Sequence, residues 1–125
     1  MIAYATIGVS DLKRAYPFYQ ALADELEAKH FLGSLDDSFI AWVGPNHEPG
    51  IGITLPYNGE PQTVGNGMMI ALAAKNPAQV DRLYDIAIAQ GGSCEGKPGP
   101  RGDNFYAAYF RDLDGNKLNA FVQTA

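Results

Sequence analysis

The second half of this chain repeats the order of its first half, and that constrains the fold more than any other feature. Sliding the sequence by 65 residues lays Tyr4 on Met69, Ile7 on Leu72, Asp11 on Asn76, Tyr19 on Tyr84 and Gly50 on Gly115. Few residues are identical. What recurs is an order: a strand-like run, a helical stripe, then three strand-like runs. In the first half, Ile2 to Val9 is rich in strand formers and small residues, with Ala3, Ala5 and Ile7 on one face. Ser10 can cap a helix, with Asp11 favourable at its positive end. Leu12, Ala15, Tyr19, Leu22 and Leu26 then recur at helical spacing. Pro17 lies inside that stripe, which predicts a kink or a late helix start. The runs "FLGSL", "SFIAWVG" and "GIGITL" follow as strands.

The second half reads alike. "MMIALAA" is a strand, Asn76 a cap and Pro77 the first helical residue. Val80, Leu83, Tyr84, Ala87 and Ile88 form the stripe, and "QGG" stops it because glycine takes the left-handed conformation cheaply. A short strand around Cys94, then "NFYAAYF" and "NKLNAF", close the chain. Residues 56–67, "PYNGEPQTVGNG", are dense in Pro, Gly and Asn and read as a linker. The fold class is therefore α+β, two βαβββ modules in tandem over about 1–56 and 67–125, joined by a linker at about 57–66. A ferredoxin-like sandwich shares the early strand–helix pattern and is the alternative, but it needs fewer strands.

Composition narrows the function classes. With 125 residues, 46% hydrophobic and 18% charged, the chain reads as one globular domain. Its net charge of -5 contains no basic cluster, which argues against a nucleic-acid backbone as partner. Cys94 is the sole cysteine, so no intrachain disulfide forms and a reducing compartment is expected. The amino terminus lacks the basic and apolar pattern of a signal peptide, and no apolar run nears the ~20 residues of a membrane span. A soluble, cytoplasmic protein with neither nucleic acid nor membrane as partner is expected.

"RDLDGNKLNAF" is the stretch most suggestive of metal chemistry. Counted from Asp112 as a calcium loop, however, glycine is fourth rather than sixth, and Gln123 stands where a bidentate Glu belongs. Asp-Gly-Asn between two strand-like runs is instead the chemistry of a tight hairpin. His30, and His47 with Glu48 in "NHEPG", meet no ligand spacing. Cys94 has no activating base nearby and reads as a small, partly buried thiol. Arg101, in the loop "KPGPRGDNFY", could clamp a carboxylate or phosphate at a cavity mouth, or simply pair with Asp103.

Together, "IGVSDLKRAYPFYQAL", "GNGMMIALAA" and "FYAAYFRDLDGNKLNAF" resemble the vicinal oxygen chelate superfamily of glyoxalases, bleomycin-resistance proteins and extradiol dioxygenases, over nearly the whole chain. The resemblance implies mixed sheets curled around a cavity, one helix per module on the outer face, and a homodimer. It also implies four metal-ligand positions, which fall on Tyr4, Thr54, Met69 and Asn119. None is His, Glu, Asp or Cys, and phenol, hydroxyl, thioether and amide are poor ligands for a divalent transition metal. No metal and no other cofactor is therefore expected.

Strand alternation places Tyr4 and Thr6 opposite Ala3, Ala5 and Ile7, and Lys117, Asn119 and Phe121 opposite Leu118, Ala120 and Val122. The expected ligand-binding set is Tyr4, Thr6, Trp42, Thr54, Met69, Arg101, Tyr106, Asn119 and Phe121, an aromatic pocket with a few polar groups. The expected function is binding of a small organic molecule without a metal. The acidic balance favours a cationic or neutral ligand, with Arg101 able to hold an acid locally. The alternative is a glyoxalase-related lyase, isomerase or dioxygenase with an atypical or displaced metal site. It would use Tyr4 and Tyr106 as acid–base groups if their pKa values were lowered. Glyoxalase I turnover itself is not expected, since its intermediate relies on a metal Lewis acid.

Overall fold

The computed structural model describes residues 1–124, which fall in two units, residues 1–64 and 65–124. The first unit runs β1 (Tyr4–Gly8), α1 (Leu12–Glu25), β2 (Lys29–Gly33), β3 (Phe39–Val43) and β4 (Gly50–Thr54). The second runs β5 (Ile70–Ala73), α2 (Pro77–Ala89), β6 (Ser93–Pro100), β7 (Phe105–Arg111) and β8 (Lys117–Gln123). Each unit is therefore one helix and one four-stranded sheet, ordered β1-β4-β3-β2 and β5-β8-β7-β6. The first and last strands of each unit pair in parallel and the remaining pairs are antiparallel. This is the tandem βαβββ order expected from the repeat. The ferredoxin-like alternative falls, because each unit has its own complete sheet.

Helix α1 starts at the first residue of its apolar stripe. Its cap is Asp11 rather than Ser10, with the carboxylate accepting from the Arg14 N–H at 3.1 Å. Pro17 lies within the helix, which neither starts late nor breaks there. Leu12, Ala15, Phe18, Tyr19, Leu22 and Ala23 are buried, each large side chain contributing about 1.5–3 kcal/mol of apolar burial. Helix α2 begins as read, with Asn76 accepting from the Gln79 N–H at 2.9 Å and Pro77 at the first turn. Its buried side is Gln79, Val80, Leu83 and Ala87, while Ile88 lies outside the core. At its end Gly91 has φ +96° and the Gly92 N–H reaches back to Ala87 O at 2.8 Å. Glu27 fills the same left-handed position after α1, at φ 59°, beneath the Ala28-to-Ala23 bond of 2.8 Å.

The 65-residue offset holds for the first strands but not for the last. The Val9 N–H bonds to Thr54 O, and the Ala74 N–H bonds to Phe121 O. Val9 and Ala74 are 65 apart, whereas Thr54 and Phe121 are 67 apart. By hydrogen-bond register, then, Thr54 corresponds to Phe121, and Asn119 corresponds to Gly52, which pairs with Thr6 as Asn119 pairs with Ala71. The correspondence of Thr54 with Asn119 drawn from the sequence is corrected by this shift. Its source lies in the hairpin arms. Lys29 pairs with Val43, 14 residues on, while Ser93 pairs with Arg111, 18 residues on. The longer arm absorbs its extra residues in two irregularities of β6, between Cys94 and Gly96 and between Gly96 and Gly99.

Candidate ligand-binding site

Each sheet has one face packed by its own helix and one face turned away from it. In the first unit the helix side takes Ile7, Ile40, Trp42 and Ile53, at 5% exposure or less. Trp42 belongs there: its indole N–H donates to Gln20 Oε1 at 2.9 Å, and its ring lies 5.9 Å from that of Tyr16 on α1. The opposite face carries Tyr4 and Thr6, both exposed, beside Gly50 and Gly52. The Tyr4 ring meets Phe31 at 6.4 Å and Phe39 at 6.3 Å. Phe31 is on this face by alternation from His30, which pairs with Trp42 on the helix side, and the register slip after His30 then sets Leu32 opposite Ala41. Gly52 leaves room there for the Phe39 ring, from which a Cβ would sit 2.7 Å away.

Thr54 ends this face, but its hydroxyl is committed to the backbone, 2.8 Å from Leu55 O and 3.2 Å from Ser38 O. The His30 ring Nε2–H donates to Gly33 O at 2.6 Å. His47 closes the turn of Pro45–His47, where Asn46 and His47 both have φ 60°.

In the second unit, Tyr106 lies on the helix side. Its hydroxyl donates to Asp81 Oδ1 on α2 at 2.8 Å. That bond, with burial and the carboxylate charge adding to it, pushes the Tyr106 pKa up rather than down, the wrong direction for a general base. Trp42 and Tyr106 are therefore both removed from a ligand set built on the faces away from the helices.

A stability consequence follows from the Tyr106 shift. The neutral phenol is favoured in the folded state, so its contribution is fully present below the unfolded tyrosine pKa of about 10 and is lost as pH rises through the higher folded value. Tyr84 is shifted the same way by its bond to Cys94, by desolvation and by neighbouring charge. Tyr106→Phe is expected to flatten part of the alkaline decline in melting temperature, and Tyr84→Phe to flatten a further part. Unchanged alkaline limbs in both variants would contradict this assignment.

The face away from α2 carries Phe105, Ala107, Tyr109 and Arg111 of β7, and Lys117, Asn119 and Phe121 of β8. Phe105 and Phe121 stack at 5.1 Å. Tyr109 pairs directly with Asn119, and two cations lie over its ring: the Arg101 guanidinium at 5.6 Å and Lys117 Nζ at 5.5 Å from the centroid. Arg111 is neutralised by Glu95 and also donates to Gly115 O at 2.8 Å. Asn119 is 2% exposed, and its amide oxygen is buried with no hydrogen-bond partner. Met69 precedes β5 and is 40% exposed. Sequence reasoning missed Phe31, Phe39, Phe105 and Tyr109 on these faces. For β7 the alternation separates Phe105, Ala107 and Tyr109 from Tyr106, Ala108 and Phe110, but the two sets are alike in composition and do not show which of them meets α2.

"DLDGN" is a hairpin turn held by Asp112. Its Oδ1 accepts from the Asp114 N–H at 2.9 Å and the Asn116 N–H at 2.8 Å, and its Oδ2 accepts from Asn116 Nδ2 at 2.9 Å. The Asp112 N–H closes on Asn116 O at 2.9 Å, as the Gly44 N–H closes on Glu48 O at 3.1 Å in the first unit. The turn chemistry read from the sequence is thus realised. Among the described residues no group of three or more His, Cys, Asp or Glu side chains could hold a metal. The side chains at the positions the resemblance pointed to, Tyr4, Thr54, Met69 and Asn119, do not fit one, and neither do Gly52 and Phe121, which the corrected register matches to Asn119 and Thr54. Among the same residues, no helix is long and apolar enough to cross a membrane.

Paired βαβββ modules with aromatic faces away from their helices define a glyoxalase-like class of protein. The match to the family model of the Glyoxalase/Bleomycin resistance protein/Dioxygenase superfamily spans residues 1–120, and the chain belongs to that superfamily. Among solved structures it is similar to a glyoxalase/bleomycin resistance protein from Albidiferax ferrireducens, at 38% identity, 97% coverage of both chains and a TM-score of 0.86. It shares its fold with a family enzyme from Burkholderia phytofirmans (18% identity, 95% of both chains, TM-score 0.71). It does so also with a glyoxalase-related enzyme from Fulvimarina pelagi (20% identity, 97% of this chain and 86% of that one, TM-score 0.73). No curated protein matched the chain.

Proposed function

We propose that this protein binds a small organic molecule against the helix-free faces of its sheets and does so without a metal or other cofactor. The observation that carries the reading is the chemistry of those faces. They offer aromatic rings, namely Tyr4, Phe31 and Phe39 in one unit and Phe105, Tyr109 and Phe121 in the other, in place of imidazoles and carboxylates. Rings with a few polar groups suit an organic ligand. The enzymatic alternative, a lyase, isomerase or dioxygenase with a displaced metal, draws on family membership alone, and the raised pKa of Tyr106 counts against one of its two acid–base candidates. A cytoplasmic homodimer is the setting proposed for this activity.

Two measurements test the proposal together. A fragment screen by ligand-observed NMR, mapped by amide shifts, is expected to perturb β1, β4, β7 and β8 with aromatic fragments. Chelator-stripped protein titrated with nickel, zinc, manganese or iron(II) is expected to show no saturable rise in melting temperature, since only a native-state ligand raises it by mass action. A saturable rise with one metal overturns the metal-free part. A screen without any binder on these faces overturns the rest.

A further inference from the structure

Within the binding reading just given, on which this step rests, we infer that the second unit takes a small aromatic carboxylate bearing a hydroxyl group. The site is formed by Arg101, Lys117, Tyr109 and Asn119 on the helix-free face of β6, β7 and β8. The protein's charge of -5 argued from composition for a cationic or neutral ligand, but local charge decides recognition at short range, and here it has the opposite sign.

Arg101 is held in place rather than loose. Its Nη1 donates to Gly99 O at 2.9 Å and Pro100 O at 3.3 Å, and its Nη2 donates to Lys97 O at 2.7 Å. All three carbonyls belong to the last four residues of β6, which follow Gly96 and include its second irregularity. Gly96 and Gly99 leave it room, since a Cβ on either would stand 3.3 Å from a guanidinium nitrogen. A guanidinium has five N–H donors. These three bonds leave Nε–H and one Nη2–H, a pair of donors that a carboxylate accepts side-on. In place of the alternative pairing with Asp103, a backbone clamp fixes the group over Tyr109. Lys117 adds a second positive charge at the same ring.

The hydroxyl follows from Asn119. Its buried amide oxygen lacks a partner, and such a group costs about 1–3 kcal/mol until a donor reaches it. A ligand hydroxyl both donates and accepts, so it satisfies an amide from either end. Asn119 lies two residues beyond Lys117 on the same face of β8, about 7 Å along the strand. That spacing suits one substituted ring lying along β8 from Lys117 to Asn119.

The test compares para-hydroxybenzoate with benzoate, para-hydroxybenzamide and para-hydroxybenzylamine, by calorimetry and amide shifts on the intact protein. The expected order places para-hydroxybenzoate tightest, by about tenfold over the amide, the value of one charge-assisted contact. Its affinity should fall with added salt. Arg101→Ala and Lys117→Gln should each remove most of that preference, and Arg101→Lys should restore only part of it, because the fork is lost while the charge stays. Equal or tighter binding of the amide or the amine overturns the anion assignment but leaves the small-molecule reading intact. Equal binding of benzoate overturns the role given to Asn119. Absence of binding by every acid, while the fragment screen finds other ligands on this face, likewise overturns this inference alone.

Discussion

Asp112→Ala is expected to destabilise the protein by about 3 kcal/mol, lowering its melting temperature by on the order of 10 °C. Asp112 is 5% exposed and accepts from two backbone N–H groups and one side-chain amide. Removing its carboxylate strands those donors in a partly buried turn and leaves the β7–β8 link without its organising group. Hydrogen bonds to a charged acceptor are worth about 1.5–3 kcal/mol each, and relaxation of the turn toward water recovers part of the loss. Asp112→Asn keeps one acceptor oxygen for the two backbone donors but turns its own amide N–H toward Asn116 Nδ2, so an intermediate loss is expected. Urea unfolding of the three proteins decides the matter. An alanine variant within about 0.5 kcal/mol of wild type, as for an ordinary surface change, would show that the turn holds itself.

That turn shows what local chemistry reveals in a sequence. Asp, Gly and Asn at close spacing specify backbone bonds within a few residues, and the hairpin formed as read. The caps of both helices sit beside their stripes for the same reason, although Asp11 outcompetes Ser10, since its carboxylate reaches the Arg14 N–H from one residue nearer. Register was harder to read. The move from a 65- to a 67-residue offset depends on how many residues two hairpin arms absorb, and irregular pairing in β6 leaves no periodic trace.

Facing was the other limit. In "FYAAYF" both phases of the alternation are aromatic or small, so no contrast of polar against apolar marks which side meets α2. Tyr106 was chosen where Tyr109 occupies the face away from the helix. "AWV" hid Trp42 in the same way, because an indole N–H suits a half-buried glutamine as well as a ligand. In "NKLNAF" the contrast is present, and Lys117, Asn119 and Phe121 fell on the face expected of them.

Two glycines with nearly the same backbone permit a sharper test of what holds the first unit together. Gly33 has φ +75° and Gly59 has φ +76°, both in the left-handed region that side chains rarely adopt. A Cβ on Gly59 would meet nothing within 4 Å, whereas a Cβ on Gly33 would lie 2.0 Å from Phe39 O and 2.8 Å from its carbonyl carbon. Gly59→Ala is thus expected to cost only the torsional term, about 1 kcal/mol. Gly33→Ala adds a collision with backbone that no rotamer change can relieve. It must push β2 from β3 at the start of their pairing, where Gly33 opposes Ile40, and about 3 kcal/mol beyond the torsional cost is expected. Phe39 anchors one side of the aromatic group around Tyr4, so Gly33→Ala should also shift the amide resonances of Tyr4 and Phe31, while Gly59→Ala should leave them in place. Equal losses of stability in the two variants would mean that backbone strain alone sets the cost, and that the β2–β3 arm yields more easily than its close approach implies.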